Sequence, residues 1–181
     1  MDTSNFLEQL RTLVNYHDAP VYTISYYAHW LLQRSVADQG YKISISGTAA
    51  DELFTGYYDH HLLYLHAVQS NKALLSEATE NWLSYVKPFV RNPKLQNPYT
   101  FIENPDQREH IFLDSEHFRE YLVTPWEEEF AEGYYASSLI RNRMLNELFH
   151  EATPQILHED DLNAMYFSTE NRSPYLDRNL V

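Results

Sequence analysis

Between residues 4 and 15, apolar side chains recur every three or four positions. Phe6, Leu7, Leu10, Leu13 and Val14 fall on one stripe, and that spacing predicts a helix. The run His17-Asp18-Ala19-Pro20 reads as a turn, because Pro20 biases Ala19 away from the helical region. A second helix is predicted over 24–39, closed by Gly40. The period then changes: residues 41–46 alternate β-branched and polar side chains, as a short strand does. After the small residues 47–50, helical spacing resumes at Leu53, Phe54, Tyr57, Tyr58, Leu62, Leu65 and Val68. Gly56, inside that predicted helix, costs roughly 1 kcal/mol relative to Ala. Residues 72–86 predict a further helix, whereas 87–106, with Pro88, Pro93, Pro98 and Pro105, read as a long loop or irregular lobe. Helical patterns return over 115–132 and 137–151. Pro154 then precedes a short helix over 159–169, with Glu159, Asp160 and Asp161 placed in its first turn to match the helix dipole.

Helix, glycine, strand, small-residue turn and helix together predict an αβα unit of a helix-rich α/β domain. Only one strand is evident, and one strand makes no sheet, so its neighbours come from elsewhere or go unrecognised in this sequence. Three segments are distinguished: a strand–loop–helix segment over 17–68, a helical and proline-rich insertion over 69–153, and a C-terminal segment over 154–181.

Composition narrows the function classes. Of 181 residues, 44% are hydrophobic, enough for a core, and the formal net charge is −13. With 13 basic against 26 acidic residues, the charge balance argues against nucleic acid as the main partner and against an anionic membrane surface. No cysteine is present, which removes disulfides, thiolate catalysis and cysteine metal sites. There is no basic-then-apolar leader, and no run approaches the ~18 apolar residues of a spanning helix. A cytoplasmic protein is the expectation.

The segment Ile45-Ser46-Gly47-Thr48-Ala49-Ala50-Asp51-Glu52 carries the candidate chemistry: a strand end, a tight turn and a helix start. Ligands of open α/β sheets sit at the carboxyl ends of strands. Ser46 and Gly47 would let a nucleotide approach the backbone, and free amides of a helix start favour phosphate. Asp51 would hold Mg²⁺ between phosphates, since such sites use one or two carboxylates plus phosphate oxygens. The plainer alternative makes Asp51 a first-turn acid and Gly47 a turn residue. Asp59, His60, His61 and His66 share a predicted helix but lack the i, i+4 spacing of a metal pair, so the histidines are read as solvated or half-buried ones.

Residues 46–57, Ser-Gly-Thr-Ala-Ala-Asp-Glu-Leu-Phe-Thr-Gly-Tyr, resemble the Ser-Gly-x-Gly-Ala-Asp-Glu-Leu-Phe-x-Gly-Tyr motif of the asparagine synthetase family, in its synthetase domain. A second block agrees. Asp160-Asp161, Met165 and then Glu170-Asn171-Arg172-Ser173-Pro174-Tyr175-Leu176-Asp177 are similar to the family's acidic helix followed by Glu-x-Arg-x-Pro-Phe-Leu-Asp. The resemblance implies an adenine-nucleotide ATP pyrophosphatase fold that uses ATP and Mg²⁺ to adenylate a carboxylate, which ammonia then attacks. By resemblance, Ser46 and Gly47 contact ATP and Asp51 binds the metal. Thr48, Glu52, Glu170, Arg172 and Asp177 serve as substrate contacts or structural support. Glu170 and Arg172 are read chiefly as a pair bracing the turn at 174–177.

The departures from the family pattern are specific. No Ser-Gly-Gly-x-Asp-Ser pyrophosphate loop occurs before Ser46, and no lysine follows the second block. The glutaminase cysteine is absent. Thr48 stands where glutamine-dependent members commonly carry Glu, and Ala49 replaces the usual Gly. The chain is therefore expected to be part of a synthetase domain, inactive alone. Its acceptor is aspartate or another small carboxylate, and its partner is a glutaminase domain or the remainder of the synthetase. The alternative is a non-catalytic relative of the same fold that binds a partner protein.

Overall fold

The computed structural model describes residues 5–111, 115–125 and 130–181. In chain order the elements are α1 (Phe6–His17), α2 (Ser25–Asp38), β1 (Ile43–Ile45), α3 (Ala50–Phe54), α4 (Tyr58–Ala67), α5 (Lys72–Asn81), α6 (Thr100–Glu103), α7 (Ser115–Arg119), α8 (Leu139–Phe149), α9 (Ala152–Tyr166) and β2 (Glu170–Arg172). The fold is helix-rich α/β, with β1 and β2 pairing in parallel. Two compact units are present: Met1–Leu53 with Glu147–Val181, and Phe54–Asn146.

In the first unit, α1, α2 and α9 pack together around Leu13, Tyr27 and Trp30, with Phe6, Leu10, Val21, Leu31 and Phe167 against them. Phe6 meets Tyr27 edge-on at 5.0 Å, and Trp30 tilts against Phe167 at 5.1 Å, both favourable ring arrangements. Leu7, predicted on the same stripe, points outward. Behind the sheet runs a polar ladder. The Thr169 hydroxyl, which donates to Ala164 O (2.9 Å), lies 3.3 Å from Gln33 Oε1; Gln33 Nε2 donates to Ser44 Oγ (3.2 Å), and Ser44 Oγ donates to Asn171 Oδ1 (2.9 Å). Ser44 and Asn171 are partners in the strand register. Buried polar groups satisfied in this way fix a single register.

Several elements differ from the sequence expectation. A second strand is present where none was predicted: residues 170–172 lack strand-like alternation but pair with β1 through backbone bonds. The last helix starts at Ala152, not 159. Pro154 is its third residue, where no intrahelical acceptor awaits its missing N–H, so it breaks nothing. Glu159, Asp160 and Asp161 accordingly lie in mid-helix, away from the dipole end. The helix expected to run on to Val68 breaks between α3 and α4, and Thr55, with φ 64°, ends α3 in the left-handed region rather than Gly56. Residues 72–86 are helical as expected, but the segment Trp82–Val86 widens to a π-turn. Of the helix predicted over 115–132, α7 covers Ser115–Arg119 and residues 120–125 are non-helical; 126–129 lie outside the described residues.

In the second unit, Leu62, Leu63 and Leu65 of α4 bury against Trp82, Val90, Leu95 and Phe101. The proline-rich stretch is thus packed onto the core rather than free. Asn142 and Asn146 of α8 hold the 133–136 loop: Asn142 Oδ1 accepts from the N–H of Tyr135 and Ala136, each at 2.8 Å, and Asn146 exchanges bonds with Gly133. Asp59 is buried beside His110 (3.3 Å) and Arg143 (3.6 Å). Burial pushes its carboxyl up. The His110 hydrogen bond, with the charges of His60, His110 and Arg143, outweighs that and holds it below the ordinary value.

One local feature of the first unit governs the motif. Ser46 N–H bonds Arg172 O (2.9 Å), and Ala50 N–H bonds Gly47 O (3.1 Å). The four residues 47–50 form a tight turn whose third residue, Ala49, has φ 75°. A bonded turn with positive φ at that place matches type II, where glycine is favoured. Ala49 is also buried, 2% exposed.

Two outcomes are expected. An alanine in the left-handed region carries roughly 1–2 kcal/mol of strain. That relief offsets the lost methyl burial and added chain entropy, so Ala49→Gly should leave stability within about 0.5 kcal/mol of wild type. Ala164→Gly, equally buried but helical, should cost about 2 kcal/mol in urea unfolding. For Asp59, the folded-state value lies below the unfolded one, so its stabilisation is present above the unfolded value of about 3.9 and is lost as pH falls through the lower folded value. The stability gap between wild type and Asp59→Asn should therefore be full at pH 6 and shrink as the pH drops below about 4.

Candidate functional site

The site candidates of the first unit gather at the carboxyl end of β1. Its pairing with β2 brings Ser46 beside Ser173 and Asn171, residues over a hundred positions later in the chain. Ser46 Oγ lies 3.0 Å from Thr48 Oγ1 and 3.1 Å from Ser173 Oγ, and Asn171 Nδ2 donates to it at 3.4 Å. Thr48 Oγ1 reaches Asp160 Oδ2 at 3.5 Å, a long contact. Asp160 Oδ1 in turn meets His29 Nδ1 at 3.1 Å. The Asp160 side chain is 10% exposed and that of His29 48%, so the imidazole screens the carboxylate from solvent.

A second acid, Glu159, lies beside Asp160 on α9. Its Oε2 is 2.9 Å from His17 Nδ1, while His17 Nε2 faces Asn163 Oδ1 at 3.2 Å. Asn163 Nδ2 donates to Tyr26 O (3.2 Å), which fixes the amide with its oxygen towards His17. The His17-Asp18-Ala19-Pro20 turn thus anchors α1 to α9 through its histidine. The Tyr26 phenol is pushed up to about 12, by burial first and then by the negative charges of Asp160 and Glu159 and by Tyr22. This wall of the site is electronegative.

The remaining predicted residues divide. Gly47 is exposed, and a Cβ placed on it would meet no atom within 4 Å. The space over that backbone is open. Asp51 lies exposed in the first turn of α3 and makes no hydrogen bond or ion pair with any described residue. Glu52, next to it, is buried at 2% exposure. Because α3 has only five residues, its dipole is small, and the phosphate argument built on a long helix is correspondingly weaker. Glu170 and Arg172 form a bidentate pair, Arg172 Nε to Oε1 (3.0 Å) and Nη2 to Oε2 (3.3 Å). That bond lowers the Glu170 carboxyl and raises the Arg172 guanidinium. The pair lies exposed on the sheet face carrying Ile43 and Ile45, turned away from the Ser46 hydroxyl. Asp177 is apart again, its Oδ1 accepting from the N–H and side chain of Asn179.

Asp160, His29, Asn171 and Ser173 complete the cluster, and sequence spacing alone did not single them out as site residues. One signal was available: Asp160 stands three before Asn163 and four before Ala164, both fully buried, which places its side chain on the inward face of the helix.

A fit to the implied groups can be tested on these residues. The backbone at Gly47 leaves a methyl-sized group clear of any atom within 4 Å, and the Asp51 carboxylate, with no partner among the described residues, is an oxygen donor of the kind Mg²⁺ prefers. No curated protein and no solved structure matches the chain. The family described as Asparagine synthase matches it over residues 1–181. Membership implies ATP-dependent amide-forming ligase chemistry in general terms. On that match, and with both motif blocks meeting at one strand end, the chain belongs to the asparagine synthase family.

Proposed function

We propose that residues 46–51 form the nucleotide-facing part of an amide-forming site, and that this chain contributes one portion of that site. The observation that carries the reading is the uncluttered backbone at Gly47, which stands in the chain between the Ser46 and Thr48 hydroxyls and shortly before the exposed Asp51 carboxylate. In this reading Gly47 admits the nucleotide, Thr48 and Ser173 orient it, and Asp51 holds Mg²⁺. When bound, ATP supplies activation of a carboxylate, and Mg²⁺ supplies charge that offsets the departing pyrophosphate. The acceptor is a small carboxylate, aspartate among the candidates, and the nucleophile is ammonia. Glu52 supports the turn from beneath, and Glu170, Arg172 and Asp177 serve structure at the sheet face and the following turn. A cytoplasmic setting goes with this reading. Among the described residues no helix is long and apolar enough to cross a membrane.

The partner in this reading is the remainder of the synthetase. Among the described residues β1 pairs only with β2. Ile43 and Ile45 are 47% and 73% exposed, although parallel sheets are normally covered on both faces. A groove of about 480 Å³ runs along β1, with Leu32, Val36 and Tyr41 on one flank. An additional strand bedded in that groove would extend the sheet and cover its apolar flank.

The test restores the pyrophosphate loop and the downstream lysine in one polypeptide and measures ATP-dependent pyrophosphate release with carboxylate acceptors. Asp51→Ala is expected to lower release roughly a hundredfold. Equal release by the two proteins would overturn the assignment. Gly47→Ala should leave thermal stability unchanged, because the new methyl meets open space, yet weaken nucleotide binding about tenfold, or ~1.4 kcal/mol. Unaltered nucleotide affinity in that variant would remove Gly47 from the site.

A further inference from the structure

The second unit carries a groove of about 330 Å³ that the nucleotide reading does not use. It is walled by α4, by α5 and by the π-turn at Trp82–Val86. His61 and Tyr64 stand three apart on α4. Leu74, Glu77, Asn81 and Tyr85 recur every three or four residues along α5 and its continuation, so each wall presents one helical stripe. Trp82, 3% exposed, is the buried part of the lining, whereas Tyr64 is 46% and Tyr85 73% exposed. In the π-turn the Lys87 N–H reaches back five residues to Trp82 O. Such widened turns are frequent at functional sites.

The chemistry of the lining favours a cation. The side chains of Glu77, Asn81, Tyr64 and Tyr85 make no hydrogen bond or ion pair with a described residue. Glu77 supplies a carboxylate, and no lysine or arginine is present in the lining to oppose a positive ligand. Burial, and then the neighbouring His60, outweigh Asp59 and hold the His61 imidazole below its ordinary value, so it is neutral at neutral pH. Aromatic faces attract cations, and a guanidinium combines a flat surface for stacking with in-plane N–H groups for a carboxylate. The formal net charge of −13 draws cations to the chain as a whole.

We propose that this groove receives an arginine side chain of a partner protein, with its guanidinium against the tyrosine rings and the Glu77 carboxylate. A partner fits better than a free small molecule. Ligand pockets enclose most of their ligand, and the wide exposure of Tyr85 leaves this groove unroofed. Leu83 and Phe89, 42% and 67% exposed, follow in the same stretch of chain and give a partner apolar surface beyond the groove. Tyrosine and arginine are the residue types that most often anchor protein interfaces. The inference is independent of the nucleotide reading, since no residue of the 46–51 turn takes part.

The experiment follows the Trp82 indole N–H and the Tyr85 amide of the full chain by NMR. The probes are the capped peptide Leu-Arg-Leu, the same peptide with citrulline in place of arginine, and N-acetylarginine amide. Citrulline keeps the shape of arginine and removes its charge. The arginine peptide is expected to shift both signals and to bind about tenfold more tightly than the citrulline peptide. Glu77→Gln and Tyr85→Leu alter exposed side chains, so both variants should keep their spectral dispersion while binding the arginine peptide roughly five- to tenfold more weakly. Equal affinity for the two peptides would overturn the cation assignment. N-acetylarginine amide binding as tightly as the arginine peptide would overturn the partner protein in favour of a small molecule. Shifts that appear with rising concentration of the chain alone would replace that partner by a second copy. No shift with either peptide would overturn the proposal outright.

Discussion

The first unit depends on the parallel pairing of two three-residue strands, β1 and β2. Strands this short do not hold together by themselves. Their register is fixed by Ser44 and Asn171, which face each other and continue through Gln33 and Thr169 into α2 and the end of α9. The ladder is polar and largely buried, so slipping by one residue would leave several hydrogen-bonding groups without partners at about 1–3 kcal/mol each. That penalty, rather than apolar burial between strands, sets where Ser46 meets Ser173. The two motif blocks become one site only because this register holds.

Much of the first unit was legible in the sequence because its signals are local. The 41–46 alternation located β1, the small-residue run located the turn, and the three-to-four spacing located α1 and α2. β2 escaped notice for a physical reason: Glu170, Asn171 and Arg172 carry no apolar alternation, since one face is an exposed ion pair and the other a single amide. Its strand character comes from pairing, not propensity. Pro154 misled in the opposite way. A proline reads as a breaker, yet at the third position of a helix it forfeits no bond. Starting α9 seven residues late made Glu159 and Asp160 look like dipole acids, when both are buried partners of histidines from α1 and α2.

In the second unit, the prolines at 88, 93, 98 and 105 suggested a long loop or irregular lobe. Short helical turns instead carry Val90, Leu95 and Phe101 into the α4 core. Proline fixes the backbone without preventing burial of its neighbours, so composition alone does not distinguish a packed irregular segment from an open one. The break between α3 and α4 was hidden for a related reason. Gly56 was read as a costly residue within a continuous helix, whereas Thr55 takes the left-handed conformation and ends α3.

The motif turn shows how pairing and chemistry constrain each other. Ser46 N–H is tied to β2 and Ala50 N–H closes back on Gly47, and the turn between them closes with a positive φ at its third residue. That geometry accounts for the glycine common at this place in the family and for the strain of alanine here. It also limits what can vary. Position 48 lies at the second turn residue, with ordinary backbone and a side chain directed at Ser46 and Asp160, so exchanging its functional group alters what the site offers a ligand without disturbing the turn. Position 47 has open surroundings, and position 49 combines backbone strain with a buried methyl. Within three consecutive residues, one position lies open to solvent, one joins the hydroxyl network and one is set by the conformation of the chain itself.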